Sequence, residues 1–434
     1  MSLKLKRNFY LLLVLVIIAA LGLAYLKFAD KQKPVIELTP EITHTNGRQV
    51  FNISVHDPGL GLKKVEVQVI QADEIQTVAR EDFAKAQPDY ELELELPRLE
   101  QGEFSVVVHA LDRSIVNLGK GNLTTVSRTM VFDDQPPVIS VSTTTHNLNQ
   151  GGSGLIIYEL SEDAPETGIV LEDYFFPAFK QPDGSYYCLF AFPHDADTKK
   201  DTPRIMARDQ AGNEQVSGFY YHVNPRNFKK DRLNIGDNFL RSQMPQYESD
   251  FPENNDPFQV FLKVNRQLRA ENREKVKQIA RDTSPVLNFE GVFIRKPNSS
   301  QMAGFGDRRT YYYQDKEIDR QVHLGVDLAS TSQAPVPAAN HGRVVFTGSI
   351  GIYGQTVVID HGLGLQTLYA HLSSIDVQEG QQVSKGETVG RTGVTGLAVG
   401  DHLHFEMLIS GTSVNPVEWW DAEWINNNIN SKLE

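Results

Sequence analysis

Gly400-Asp401-His402-Leu403-His404-Phe405-Glu406-Met407-Leu408-Ile409 is the stretch on which the reading of this chain turns. Side chains of a β-strand alternate between faces, so a strand here sends His402, His404 and Glu406 one way and Leu403, Phe405 and Met407 into a core. Upstream, His323 and Asp327 stand four residues apart in His323-Leu324-Gly325-Val326-Asp327, sharing a face in either strand or helix. Between these pairs lies His371, in Leu368-Tyr369-Ala370-His371-Leu372. Of 12 histidines in the chain, six (His323, His341, His361, His371, His402 and His404) fall within residues 323–404, a concentration that points to a site. Three nitrogen or oxygen ligands with an open fourth position are what a catalytic zinc ion needs. A His-x-His strand taken alone equally fits a structural zinc site or a polar face, and a lone His371 fits the surface. Spacing leaves open which of His402 and His404 would be the ligand.

The words around these histidines resemble one family closely. They are Gly304-Phe305-Gly306-Asp307-Arg308, His323-x-x-x-Asp327, Pro335-Val336-x-Ala338, Ile359-Asp360-His361-Gly362, Tyr369-Ala370-His371-Leu372, Gly393-x-Thr395-Gly396 and Gly400 to Glu406. Their order is similar to that of the lysostaphin-type zinc metallopeptidases, also called M23 or LytM-domain peptidases. The resemblance covers residues 289–420 and implies that His323, Asp327 and His404 hold Zn2+ while His371 and His402 stay off the metal and do chemistry. Some relatives of this kind lose ligands and become binding or activating modules; here all five residues are present. The resemblance also implies the substrate class, peptide cross-bridges of bacterial peptidoglycan.

The residues themselves suit such chemistry. A metal ion polarises a carbonyl and lowers the pKa of bound water from near 16 toward about 7. The sequence contains no His-Glu-x-x-His word, so the glutamate base of other zinc proteases is absent and the two spare imidazoles are the natural proton carriers. Glu406, on the face of His404, is placed to orient that ring, or simply to fill a cross-strand position. His361 reads as support for a turn, and His341, before a glycine, as solvated.

The remainder of the 434 residues bounds the setting. Lys4, Lys6 and Arg7 precede an uncharged apolar run from Phe9 to Leu26, about 27 Å as a helix and close to the thickness of a bilayer core. The basic flank keeps the N-terminus in the cytoplasm, so a single-pass anchor in the cytoplasmic (inner) membrane is expected, with everything after it extracytoplasmic, in the periplasm. A cleaved leader ending near Gly22-Leu23-Ala24 is the alternative. A net charge of −13 disfavours nucleic acid as a partner. The single cysteine, Cys188 in an apolar run, rules out an internal disulfide and reads as a buried small hydrophobe.

A mainly β organisation follows. The expected parts are a cytoplasmic tail over 1–8, a transmembrane helix over 9–26, immunoglobulin-like β-sandwiches over 34–133 and 136–224, a helical linker over 226–288, an all-β M23-like peptidase domain over 289–420 and a tail over 421–434. Strict alternation in Tyr90-Glu91-Leu92-Glu93-Leu94-Glu95-Leu96 marks a half-buried strand. Ala110-Leu111-Asp112 and Ala207-Arg208-Asp209 suggest a tandem repeat with turn-capping aspartates. The modules would form a stalk and offer surfaces for envelope proteins. In the linker, Asp256-Pro257 starts a helix with Phe261, Val264, Leu268, Val276 and Ile279 inward, and a solvated basic face of Lys263, Arg266, Arg269, Arg273, Lys275, Lys277 and Arg281. It reads as a linker helix packed on the peptidase domain, serving as a passive spacer or as a lid over the cleft. The expected activity is a zinc metalloendopeptidase cutting D-alanyl-meso-diaminopimelate cross-links. The rivals are a non-enzymatic wall-binding or hydrolase-activating module and a zinc protease on protein substrates.

Overall fold

The structure is a computed structural model that describes residues 3–253 and 256–433; residues 1–2 of the expected tail, 254–255 of the linker and 434 lie outside it. The chain divides into two compact units, Met1–Pro137 with Arg208–Glu214, and Val138–Ala207 with Gln215–Glu434.

The first unit opens with a helix, Leu3–Phe28, whose segment Arg7–Phe28 is long and apolar enough to cross a membrane. A three-stranded antiparallel sheet (Val35–Thr39, Phe51–His56, Asp89–Leu94) and a five-stranded sheet (His44–Thr45, Leu123–Phe132, Gly102–Asp112, Leu62–Gln71, Glu74–Gln87) follow. Alternation drives their pairing: Phe51, Ile53 and Val55 from one sheet and Val65, Val67, Val69, Phe104, Val106 and Val108 from the other fill one core. The glutamates of Tyr90–Leu94 face solvent as expected. The two repeated aspartates cap turns. Asp112 accepts from the backbone N–H and side-chain amide of Asn122 at 2.6 and 2.7 Å, and Asp209 does the same with Asn213 at 2.9 Å each.

In the second unit, residues 138–207 are no free-standing stalk module. Their strands, such as Ser153–Leu160 and Tyr186–Ala191, contribute Leu155, Leu189 and Phe190 to a core shared with Phe293, Val326, Tyr369, Phe405 and Trp419. Cys188 is fully buried there. The seam is polar at one point. Glu418 accepts from the Asn149 side-chain amide at 2.7 Å and the Ser153 N–H at 3.3 Å, while the Trp419 indole N–H donates to Ser153 Oγ at 3.2 Å. Gly152 lets the carboxylate in, since a Cβ at that position would stand 2.6 Å from both Glu418 oxygens.

Burial raises Glu418 from 4.5 to about 7, against the opposing hydrogen bonds from Asn149 and Ser153. The folded chain then keeps a proton that the unfolded chain releases, so the stability from this group is full below pH 4.5 and is lost as pH rises through about 7. Glu418→Gln is expected to flatten the dependence of melting temperature on pH between about 5 and about 8, and to melt above the wild type at the upper end. Parallel curves for the two proteins would exclude this group as the source.

The expected linker is not a simple helix. Lys230–Asn234 is a strand pairing in parallel with Arg308–Tyr313, which pairs with Lys316–Val322. The helix begins at the Asp256 cap, whose side chain accepts from the Phe258 N–H, runs over Pro257–Lys263, widens into a π-turn at Val264–Leu268 and continues over Arg269–Ile279. Phe261, Val264, Leu268 and Val276 do turn inward, into a core with Tyr353, Val358, Leu368 and Leu408. The segment therefore packs, as expected of its apolar face, against the C-terminal sheet region and forms one wall of it.

That region is a ten-stranded sheet in which Val326–Ala329, Leu403–Ile409, Leu365–Ile375 and Gly354–Asp360 lie side by side. Its strands form where Val, Ile, Leu and aromatic residues dominate, and both faces are covered, so Leu403–Ile409 is buried throughout.

Candidate active site

Register brings the site together. Asp327 and Ala370 both stand opposite His404 on neighbouring strands, and His402 bridges to Gly393. Leu403, Phe405 and Met407 enter the core, leaving His402, His404 and Glu406 on the other face. His371 reaches the same place by a different device. Its φ of 61° is left-handed, and Ala370 and His371 together oppose Thr356 across a β-bulge. A bulge re-aims a side chain that strict alternation would send elsewhere.

Three ligand-type atoms converge. His323 Nε2 lies 3.0 Å from Asp327 Oδ1 and 3.0 Å from His404 Nδ1, and His404 Nδ1 lies 2.9 Å from Asp327 Oδ1. The outer hydrogen bonds determine which nitrogen each ring offers. His323 Nδ1–H donates to the Gly304 carbonyl at 2.8 Å, leaving Nε2 with its lone pair. His404 Nε2–H donates to Glu406 at 2.8 Å, leaving Nδ1 free, and Glu406 is held by Ser413 at 2.7 Å. Such carboxylate-backed and carbonyl-backed imidazoles are what metal ligation uses. The two carboxylates also draw positive charge to that position: although burial opposes it, Asp327 and Glu406 together hold His404 up at about 9, so a proton occupies Nδ1 when no metal cation does. Burial likewise opposes ionisation of Asp327, yet His323 and His404 keep it well below the usual carboxylate range. The triangle favours a cation, and two imidazoles with one carboxylate are a donor set that zinc accepts.

His371 and His402 flank the triangle. Their ring centroids are 4.8 Å apart, and His371 is 5.8 Å from His404. His371 Nδ1–H donates to the Thr395 carbonyl at 2.8 Å and His402 Nδ1–H to the Gly400 carbonyl at 2.7 Å, so each ring keeps an acceptor at Nε2. His402 Nε2 comes within 3.6 Å of Asp327 Oδ1. Burial, helped by His404 and His402, pushes His371 down to about 3, so it is neutral at any physiological pH.

All five residues singled out from the sequence therefore meet, on the wall of a cavity of about 730 Å3. Glu406 holds His404. His361 is buried, its ring bonded to the His341 carbonyl at 2.6 Å and to Thr367 at 2.8 Å, while the half-exposed His341 accepts at Nδ1 from the Lys385 N–H at 3.3 Å. Sequence reading passed over Tyr353, a buried phenol that faces Glu406, and Arg309, which lies 3.2 Å from Asp327 Oδ2. Arg309 directly follows a quoted family word, which was the available signal; Tyr353 had none.

Comparison with known proteins places this region. Residues 321–416 match the model of peptidase family M23. The chain thus carries an M23 peptidase domain toward its C-terminal end, and with it a hydrolase fold. It is 45% identical over 97 residues to the DD-carboxypeptidase/endopeptidase Mpg of Neisseria meningitidis, a match covering 22% of each chain. It is 42% identical over 96 residues to the peptidoglycan DD-endopeptidase ShyA of Vibrio cholerae, again 22% of each. The match thus spans about a fifth of the length of these relatives. Among solved structures, the catalytic domain of lysostaphin from Staphylococcus simulans is 28% identical over 28% of this chain and 90% of its own, with a TM-score of 0.24.

Proposed function

We propose that this chain is an extracytoplasmic zinc endopeptidase that hydrolyses peptide cross-links of bacterial peptidoglycan, D-alanyl-meso-diaminopimelate bonds in particular. The observation that carries it is the convergence of His323 Nε2, Asp327 Oδ1 and His404 Nδ1 within 3.0 Å of one another, with two further imidazoles beside them. The relatives' names supply the substrate class. His323, Asp327 and His404 hold zinc, which supplies Lewis acidity toward the scissile carbonyl. His371 and His402, each with an acceptor at Nε2, take a proton from the attacking water and return one to the leaving amine. The intact set of five speaks against a purely binding module. The apolar helix serves as the anchor, with the N-terminus in the cytoplasm.

Mass spectrometry of muropeptides tests the activity. Zinc-loaded full-length protein should convert cross-linked dimers into monomers, and chelation should stop it. A digest unchanged by the loaded protein would end this reading. For topology, a reporter fused after residue 33 should be active only outside the cytoplasm; activity inside reverses the orientation.

A further inference from the structure

The basic face expected to be solvated is split in two. Arg266, Lys275 and Lys277 are exposed, whereas Arg269 and Arg273 are half-buried and line the same cavity as His323 and Asp327. They follow directly on the π-turn at Val264–Leu268, and a π-turn shifts the phase of every later residue relative to an uninterrupted α-helix. With i, i+4 spacing both then point the same way.

Their surroundings hold no carboxylate for them. Arg269 donates to the Asn265 carbonyl at 3.3 Å and to its side-chain oxygen at 2.8 Å. Arg273 donates through Nη2 to the Val322 carbonyl at 3.3 Å, one residue before His323, and its Nε is buried without a hydrogen-bond partner. Neither forms an ion pair among the described residues. The carboxylates lining the cavity are engaged elsewhere: Asp327 and Glu406 with the histidines, Asp231 with Lys229 at 2.8 Å, and Asp401 with Ser332 and the Gln333 N–H at 3.0 Å each. Arg309 adds a third guanidinium beside Asp327, and the positive charges of Arg273 and Arg309 bear on Arg269. Tyr353 and Glu406 line the same cavity as Arg269 and Arg273. Half-buried guanidiniums held only by neutral acceptors form a fork that suits a carboxylate.

We propose that Arg269 and Arg273 form a subsite for a free carboxylate that the substrate carries beside the scissile bond. The proposal rests on the cross-link reading above and deepens it. In a D-alanyl-meso-diaminopimelate cross-link, the scissile nitrogen is attached to a carbon that bears a free carboxylate. At an internal bond of an ordinary polypeptide, an amide carbonyl occupies that place. A guanidinium cluster lining the same cavity as His323 and Asp327 therefore selects cross-links over protein backbones. Arg269 and Arg273 act in specificity, without touching the reacting atoms.

Two synthetic cross-linked peptides, identical except for a carboxylate or a carboxamide on that carbon, decide the matter with the zinc-loaded full-length protein. The wild type should favour the acid by about 30- to 100-fold in kcat/KM, the range for a charge-assisted pair out of bulk water. Arg273→Gln should lose most of that preference by slowing the acid far more than the carboxamide, and Arg273→Lys should recover part of it. Equal wild-type rates on the two peptides overturn the subsite, and that arm needs no variant to fold. Equal slowing of both peptides by Arg273→Gln and by Arg269→Gln assigns the arginines to structure and overturns it as well. If the wild type cleaves neither, the cross-link reading falls. The subsite is then judged by calorimetric affinity for the free diaminopimelyl peptide against its carboxamide, where equal values reject it and a preference for the acid upholds it.

Discussion

His402→Ala should retain zinc and lower kcat by about 10²- to 10⁴-fold, the contribution typical of a positioned acid or base. Asp327→Ala should instead lose the metal. The contrast follows from geometry: Asp327 Oδ1 is a corner of the ligand triangle, whereas His402 Nε2 stands 3.6 Å from it. Removing Asp327 also leaves the cation-favouring environment of His404 with only Glu406. Zinc content by elemental analysis alongside turnover separates the two roles; equal zinc loss in both variants would refute the division. His371 needs a gentler probe. Its left-handed φ of 61° makes alanine a backbone perturbation as well as a chemical one, so asparagine, which tolerates that region, is the cleaner replacement. His371→Asn is expected to match His402→Ala in kind: metal kept, turnover lost.

Deleting residues 226–284 should abolish folding of the catalytic region rather than release it. The segment buries Phe261 and Val264 completely and covers Val358, Leu368 and Leu408. Loss of one such phenylalanine costs about 3–5 kcal/mol, a large part of the stability of most domains. Polar stitching goes with it, since Asp360 accepts from Thr283 at 2.6 Å and from the Ser284 N–H at 2.9 Å, and Asn272 accepts from the Ile352 N–H at 2.8 Å. The truncated protein should aggregate or bind hydrophobic dyes. A soluble fragment with a cooperative transition and a faster rate on peptidoglycan would show that the segment is a detachable lid.

What was legible in the sequence was local. Alternation through Leu403 to Met407 placed two histidines and a glutamate on one face, and the words around His323 and His371 supplied the other members. The wall of the cleft was not legible, for identifiable reasons. Lys230–Asn234 finds its partner strand at Arg308–Tyr313, some 78 residues away, and a five-residue polar stretch announces no pairing. The inward turn of Arg269 and Arg273 depends on a π-turn that helical spacing cannot reveal. The burial of Glu418 was not legible, because it comes from Gly152 and Ser153, far back in the chain. The bulge at His371 was equally hidden, since the residue carries no glycine or asparagine signal for a positive φ.

The direct opposition of Asp327 and His404 across adjacent strands has a consequence for how the molecule matures. The two residues are 77 positions apart, so their meeting belongs to the slow, non-local part of folding. A slip of one residue in that pairing would turn the histidine's side chain to the opposite face and dismantle the ligand triangle. Chains that are unfinished or mispaired thus lack the ligand triangle, and under the proposed function they stay inactive until the sheet has closed. If the triangle holds zinc as proposed, bound metal per chain should count the molecules whose strands have found their register.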